Sequence, residues 1–399
     1  TDDTVPAGAS HHQKLVVIDG ALAICGGLDL AAWRWDSPEH QANDPRRRDP
    51  KNKPYQPYHD IQVVLRGEIC RDLHELASSR WERATGKPLP KPKRSEDREN
   101  WPKSVTVDFE TTAAAISLTY PKYKSFPELH QIEQLYLDMI SGARRTIYIE
   151  NQYLTSKLIV DALCERLRED NGPEIFMLLT REAGWAENMT MGRMRNRLLE
   201  KLREADRHKR FRCDYPCIDS GGETQQIYVH AKLMIVDGRM MTTGSANLTN
   251  RSMHVDSELN LAMIEDGPKA YIEGLRARLL AIHLHRTETE VKQAIEKTGS
   301  LIGTIEALNR SEGNRLRPLE AACDSDLERR IADTQLLDPD EPLSPIHHLW
   351  GALQAQNEIY WEEKSGSPYL RVFKIVAGLV AFIVAGRGIA PLWKPGFAQ

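Results

Sequence analysis

One segment of the chain occurs twice. His12-Gln13-Lys14-Leu15-Val16-Val17-Ile18-Asp19-Gly20 aligns without a gap on His230-Ala231-Lys232-Leu233-Met234-Ile235-Val236-Asp237-Gly238, 218 positions later. The register persists beyond it, since Gly26, Gly27, Asp29 and Leu30 fall on Gly244, Ser245, Asn247 and Leu248. A repeat at fixed offset means two copies of one supersecondary unit, so the fold must contain two related halves. In a strand alternate residues share a face, which sets each His beside its Lys. The apolar runs that follow, Leu15 to Ile18 and Leu233 to Val236, are short and β-branched, as expected of strands buried on both faces. Asp19 and Asp237 close those strands before a Gly turn, where a carboxylate caps or pairs and has a structural role.

Two His-x-Lys pairs carry the parts that phosphodiester chemistry needs. The nonbridging oxygens must be neutralised, phosphorus attacked and the leaving alkoxide protonated. Lys14 and Lys232 bring two positive charges to the phosphate, assisted by Ser245, Asn247 and the backbone near Gly27. Imidazoles titrate near neutrality, so one His can attack while the other serves as acid. With two lysines acting as the cation, no metal or other cofactor is expected.

The doubled His-x-Lys-x4-Asp motif, each followed by Gly-Gly or Gly-Ser, resembles the signature of the phospholipase D superfamily. Further segments resemble its eukaryotic-type phospholipases: Ser10 to Lys14, Gly26 to Leu30, Arg34-Trp35-Asp36 with Glu39-His40, His59-Asp60, Ile147 to Gln152, and Gly244 to Asn247 with Arg251-Ser252. The resemblance covers residues 9 to 286. It implies attack by His12, acid catalysis by His230, and a phosphohistidine released by water or an alcohol. By motif position Asp44 and Glu258 are the carboxylates that orient the two imidazoles. Asp29, Glu150, Asn151 and Gln152 are expected to bind substrate or shape the pocket.

The implied fold is α/β: two pseudo-symmetric lobes, each with a central mixed sheet flanked by helices, plus a helical C-terminal extension. Residues 1–85 are read as the C-terminal part of the first lobe, 86–124 as a connector, 125–286 as the second lobe and 287–399 as the extension. The second motif has a full lobe upstream of it and the first only 11 residues. The first lobe is therefore expected to be incomplete, with an N-terminal companion segment completing it. In the second lobe Ser125 is the expected cap of a helix through Ile140. Ile375 to Gly386 is an uncharged apolar run of 12, shorter than the ~20 residues that span a bilayer, and reads as a buried core helix, an interfacial or wedge helix, or a span with Arg387 snorkelling.

A net charge of −4 argues against a general nucleic-acid binder, and a mean hydropathy of −0.50 against a polytopic membrane protein. The six cysteines are too few for a disulfide scaffold. Cys213 and Cys217 stand as separate thiols, a disulfide or a poor metal pair. The leading expectation is a phospholipase D whose partner is membrane phospholipid, associated peripherally with the bilayer. By analogy with bacterial lipase effectors of type VI systems, it would be secreted or delivered to a target periplasm or host cell, with an immunity or secretion-apparatus protein as partner. The rival readings are a nuclease or phosphodiesterase of the same superfamily and a non-catalytic lipid- or partner-binding fragment.

Overall fold

The computed structural model describes residues 2, 4–90, 101–108, 110, 113–184, 187–265, 270–309, 315–320 and 337–342. The chain divides into two compact units, Thr1–Glu341 and Pro342–Gln399, and every described element belongs to the first. The apolar run Ile375 to Gly386 lies outside the described residues, among which no helix is long and apolar enough to cross a membrane.

In chain order the first half contains β1 (Leu15–Ile18), β2 (Leu22–Gly26), β3 (Tyr58–His59), β4 (Gln62–Arg66) and α1 (Ile69–Thr85). The second contains β5 (Ala113–Tyr120), β6 (Leu129–His130), α2 (Gln131–Gly142), β7 (Thr146–Asn151), α3 (Lys157–Arg168) and β8 (Glu174–Leu179). A π-helical turn, Asn188–Gly192, leads into α4 (Arg193–Ala205), followed by β9 (Phe211–Ser220), β10 (Glu223–Gln226), β11 (Tyr228–Val229), β12 (Lys232–Val236) and β13 (Met240–Gly244). The last elements are α5 (Asn250–His254), β14 (Glu258–Ile264), α6 (Tyr271–Leu284), α7 (Glu288–Thr298), α8 (Leu301–Leu308) and β15 (Leu316–Pro318). The class is mixed α/β.

The two copies of the repeat form the same hairpin. Leu15 lies opposite Cys25 and Ile18 opposite Leu22, as Leu233 lies opposite Thr243 and Val236 opposite Met240. Both turns are Asp-Gly with positive φ, 53° and 64° at Asp19 and Gly20, 55° and 67° at Asp237 and Gly238. These two residue types tolerate the left-handed region best, and that turn matches the twist of the flanking strands. A third strand follows in each half, β4 on β2 and β14 on β13.

The surroundings of the hairpins differ. β12 is central in the large sheet, ordered β10-β9-β8-β7-β12-β13-β14-β5-β6, with β15 added on β9. Helices α2, α3 and α4 contribute to the apolar core on one face. Residues of α6, α7 and α8 join Ala23, Cys25, Leu65 and Leu73 of the first half in the other. β1 instead belongs to a three-stranded sheet, β1-β2-β4, and among the described residues its one ladder partner is β2. Its alternate side chains are open, Val16 36% and Ile18 48% exposed. The expectation of burial on both faces holds for Leu233 to Val236 and fails for Leu15 to Ile18, because β1 is an edge strand.

Three further expectations are corrected. Ala113–Tyr120, placed in the connector, is a strand paired with β14 from Glu258↔Thr119 to Ile264↔Ala113. Ser125 does not cap α2, which begins at Gln131 after β6 has paired with β5. The extension is not wholly helical, since Leu316–Pro318 pairs with β9. Its first helix is set by local chemistry: Thr287 and Glu290 form a reciprocal capping box, and Gly299 at φ 63° ends it. Cys213 and Cys217 are buried on β9 and no disulfide joins them.

Asp237 ties the second hairpin to the strand beside it. Its carboxylate accepts the backbone N–H groups of Arg144 (2.8 Å), Arg145 (2.7 Å) and Thr146 (2.9 Å), fixing the start of β7. Asp237→Ala leaves these donors without that acceptor. It is expected to lower the unfolding free energy by about 1–3 kcal/mol, read from the urea midpoint, and an unchanged midpoint would contradict this role.

Candidate active site

Each histidine is held by the opposite half. The backbone N–H of His12 donates to the Ser257 carbonyl (3.0 Å), and that of His230 to the His59 carbonyl (2.7 Å). The next residue after each acceptor is an acid that reaches the same ring. His12 Nδ1 lies 2.9 Å from both Glu258 carboxylate oxygens, and His230 Nδ1 lies 2.8 Å from Asp60 Oδ2. With an Nδ1–H donated to a carboxylate, each ring keeps its Nε2 for chemistry.

The lysines repeat the pattern. Lys14 Nζ donates to the His12 carbonyl at 2.7 Å and pairs with Asp29 at 3.2 Å. Lys232 Nζ donates to the His230 carbonyl and to Gln152 Oε1 at 3.2 Å. Around Glu258, Ser245 and Ser252 donate their hydroxyls at 2.5 and 2.7 Å. Gly27 fills the place that Ser245 has in the other copy, and there only glycine fits: a Cβ would stand 2.2 Å from Asp60 Oδ1 and 3.1 Å from the His230 carbonyl.

Burial and neighbouring charge set the protonation states. Burial drives His230 well below the ordinary histidine value, and the Lys232 and Arg34 cations add to it. Burial also pulls the Lys232 ammonium down to about 7, against the attraction of Asp60. The Asp60 carboxyl is pushed up to about 6 by burial, with Lys232 opposing. Asp29, although burial raises it, is held below the usual range by Lys14. Lys14, Lys232, Arg34 and Asp29 all act on His230, so charged groups from both halves converge on one place.

Asp44 takes no part in this arrangement. Its carboxylate accepts the backbone N–H of Arg46 at 2.9 Å and its guanidinium at 2.6 Å, which hold it down at about 2. Asp60 stands in the orienting position expected of Asp44. The strand register explains why: Gly26 lies opposite Gln62 and Gly244 opposite Asn260, so Asp60 and Glu258 each precede equivalent residues by two. Counted between these equivalent positions, Gly26 to Gln62 spans 36 and Gly244 to Asn260 spans 16, so the first copy is 20 residues longer and a fixed offset of 218 passes over Asp60. The His59-Asp60 pair just before a strand is the signal that points to it.

The expected pocket residues separate. Glu150 is fully buried and does not line a cleft. It accepts hydrogen bonds from Tyr148 and from Nε2 of His59 (2.6 Å) and His283 (2.9 Å), and its carboxyl, although raised by burial, is held well below the usual range by the two imidazoles. Glu150, His59 and His283 are a metal-type donor set, but their spacing is that of hydrogen bonds. Glu150 is thus linked through His59 to His230, whose backbone N–H donates to the His59 carbonyl. Asn151 Oδ1 accepts the N–H groups of Leu248 and Tyr153, both at 3.2 Å, and so supports the loop after β13. Gln152 reaches the site itself, linking Lys232 to Tyr153 and Tyr228, each at 2.8 Å. Asn247 is buried with its side-chain oxygen unpartnered, and its backbone N–H donates to Ser252 at 3.2 Å.

A phospholipase D family model matches residues 2–160, and a model described as cardiolipin synthase, phospholipase D-like domain, matches residues 136–273. Phospholipase D alpha 1 of Carica papaya is 24% identical over 427 residues, covering 76% of this chain and 53% of the relative. Phospholipase D A of Dictyostelium discoideum is 24% identical over 325 residues, 65% of this chain and 24% of the relative. The chain thus spans about half or less of the length of these curated relatives. Among solved structures, the phospholipase D family member Nuc of Salmonella typhimurium shares 21% identity, covering 42% of this chain and 91% of its own, with a TM-score of 0.30.

The shifted groups predict a pH profile. Below about 6 Asp60 gains a proton and ceases to accept from His230, and above about 7 Lys232 loses its charge. For a phosphodiester substrate, kcat/KM is expected to be bell-shaped with limbs near those values, since it reports the free enzyme. A flat profile from about pH 5 to about pH 9 would contradict both assignments.

Proposed function

Because the chain belongs to the phospholipase D superfamily, we propose that it is a phosphodiesterase that hydrolyses the distal phosphodiester bond of membrane glycerophospholipids. The products are phosphatidic acid and the free headgroup. The observation that carries this reading is the pair of imidazoles, each held at Nδ1 by an acid from the other half, with a lysine beside each.

In this mechanism Lys14 and Lys232 bind the nonbridging oxygens and offset the charge that repels a nucleophile. Nε2 of His12 attacks phosphorus, the P–N bond forms and the bond to the headgroup oxygen breaks. His230 gives its proton to that oxygen. His230 is kept neutral by burial and by cations, and the anionic substrate, set against those cations, favours its protonation. Water then attacks the phosphohistidine, His230 takes the proton, and the P–N bond breaks to release phosphatidic acid. An alcohol in place of water gives a phosphatidyl transfer product. The companion segment is a further part of this proposal, and β1, whose one ladder partner among the described residues is β2, supports it.

The test is mass spectrometry of the products formed from phosphatidylcholine or phosphatidylethanolamine vesicles in ethanol. Phosphatidylethanol is expected, and His12→Ala should reduce it by at least roughly 10³-fold, the scale of removing a reacting group. Parental rates in that variant would overturn the role of His12. DNA cleavage without lipid turnover would replace the lipid reading with the nuclease one. Turnover that appears only when an N-terminal companion polypeptide is supplied would tie activity to the edge of β1.

A further inference from the structure

Three large apolar side chains stand in solvent within one short segment beside the catalytic lysine: Leu30 is 89% exposed, Trp33 52% and Trp35 46%. Asp29, which pairs with Lys14, immediately precedes Leu30. Arg34, between the two tryptophans, binds Asp29 at 3.3 Å and lies over the Tyr58 ring, whose centroid is 5.5 Å from that of His230. The exposed side chains therefore border the site. Single apolar side chains on a surface need no explanation, but a cluster of this size marks an interaction surface.

The segment is a braced platform. Asp36 is its hub, binding His40 at 2.9 Å, Arg47 at 2.8 Å and the Tyr58 N–H at 2.9 Å. Arg47, itself buried, also donates to the carbonyls of Gln41, Ala42 and Tyr55. Above this hub, Trp35 carries Arg46 over its ring at 5.0 Å and accepts the Tyr55 hydroxyl on its carbonyl. The Asp49 carboxylate orders the following turn through the N–H groups of Lys51 and Lys53. Trp33 has φ 64°, a left-handed conformation that is unfavourable for a bulky residue. The fold thus holds an indole outward in an unfavourable backbone state. Arg48, Lys51 and Lys53 stand exposed in the same platform.

We propose that residues 29–53 form a membrane-docking platform, in which Leu30, Trp33 and Trp35 enter the interfacial layer of a phospholipid bilayer and Arg48, Lys51 and Lys53 meet its phosphates. Tryptophan favours the layer between headgroups and acyl chains, and cations beside it complement an anionic surface. Docking there sets Lys14 and Arg34 at the level of the headgroup phosphates. The inference rests on the lipid reading above in one respect, that the substrate lies in a bilayer.

Cosedimentation of the purified chain with vesicles of phosphatidylethanolamine and phosphatidylglycerol tests it without requiring turnover. Leu30→Ser/Trp33→Ser is expected to weaken partitioning by about 10- to 100-fold, as loss of two inserted side chains implies, while Leu30→Phe/Trp33→Phe retains it. Hydrolysis of vesicles should fall in proportion, and hydrolysis of monomeric dihexanoyl-phosphatidylcholine should stay within about twofold of the parent. Parental partitioning of the serine variant, or equal loss on vesicle and monomer, overturns the platform. So does a change confined to self-association, which would make the patch a contact between copies. If the parent binds vesicles through these residues yet hydrolyses neither lipid, the proposed activity fails and the platform stands.

Discussion

The exchange of carboxylates between halves is the constraint from which the rest of the structure follows. His12 depends on Glu258 and His230 on Asp60, so neither copy of the repeat holds both an imidazole and the carboxylate that orients it. The exchange also extends to the backbone. Ser10 to His12 lie along Asp256 to Glu258, with Ser10 bound to the Asp256 carboxylate at 2.8 Å and the Ser257 N–H on the Ser10 carbonyl. On the other side His59 lies beside Val229 in the parallel pair β3–β11. Each orienting acid is therefore delivered with the strand that positions its histidine, and the distance between ring and carboxylate is set by main-chain geometry.

Such a site must bury charge, which is tolerable where opposite charges and hydrogen bonds alternate. Lys232 is wholly buried, and Asp60 holds its proton on while Lys232 draws the proton from Asp60. Glu258, equally buried, receives an imidazole and two hydroxyls. In the first copy the shorter Asp60 approaches the backbone, and Gly27 makes room where Ser245 makes a hydrogen bond. One geometry is thus reached with different residues, and strict symmetry of sequence is not required.

This explains what the sequence could and could not reveal. The His, Lys and Asp-Gly turns recur at one offset because hairpins tolerate no length change, and their register was legible. Asp60 was not, because the segment before it changes length between copies and Asp44 stands nearer in motif order. Glu150 read as a pocket residue because it ends a strand beside Asn151 and Gln152. Yet it shares a strand face with Tyr148, the face that α6 covers, and so meets His283 in the interior. The exposure of β1 was hidden for a different reason: its composition matches that of β12, and only its neighbours differ.

The length change that hides Asp60 also supplies the exposed platform. Both ends of the long segment are fixed, at Gly27 by close packing on Asp60 and at Tyr58 to Asp60 by the strand that carries His59. Extra residues between fixed ends can only project outward, and a projecting loop without internal anchors would remain flexible. The buried Asp36–His40–Arg47 cluster supplies those anchors. It thereby converts an insertion next to the site into a rigid surface, with Leu30 and Trp33 one and four residues along the chain from the carboxylate that touches Lys14. The same covalent segment thus connects the charge arrangement around Lys14 and His230 to the apolar side chains outside it.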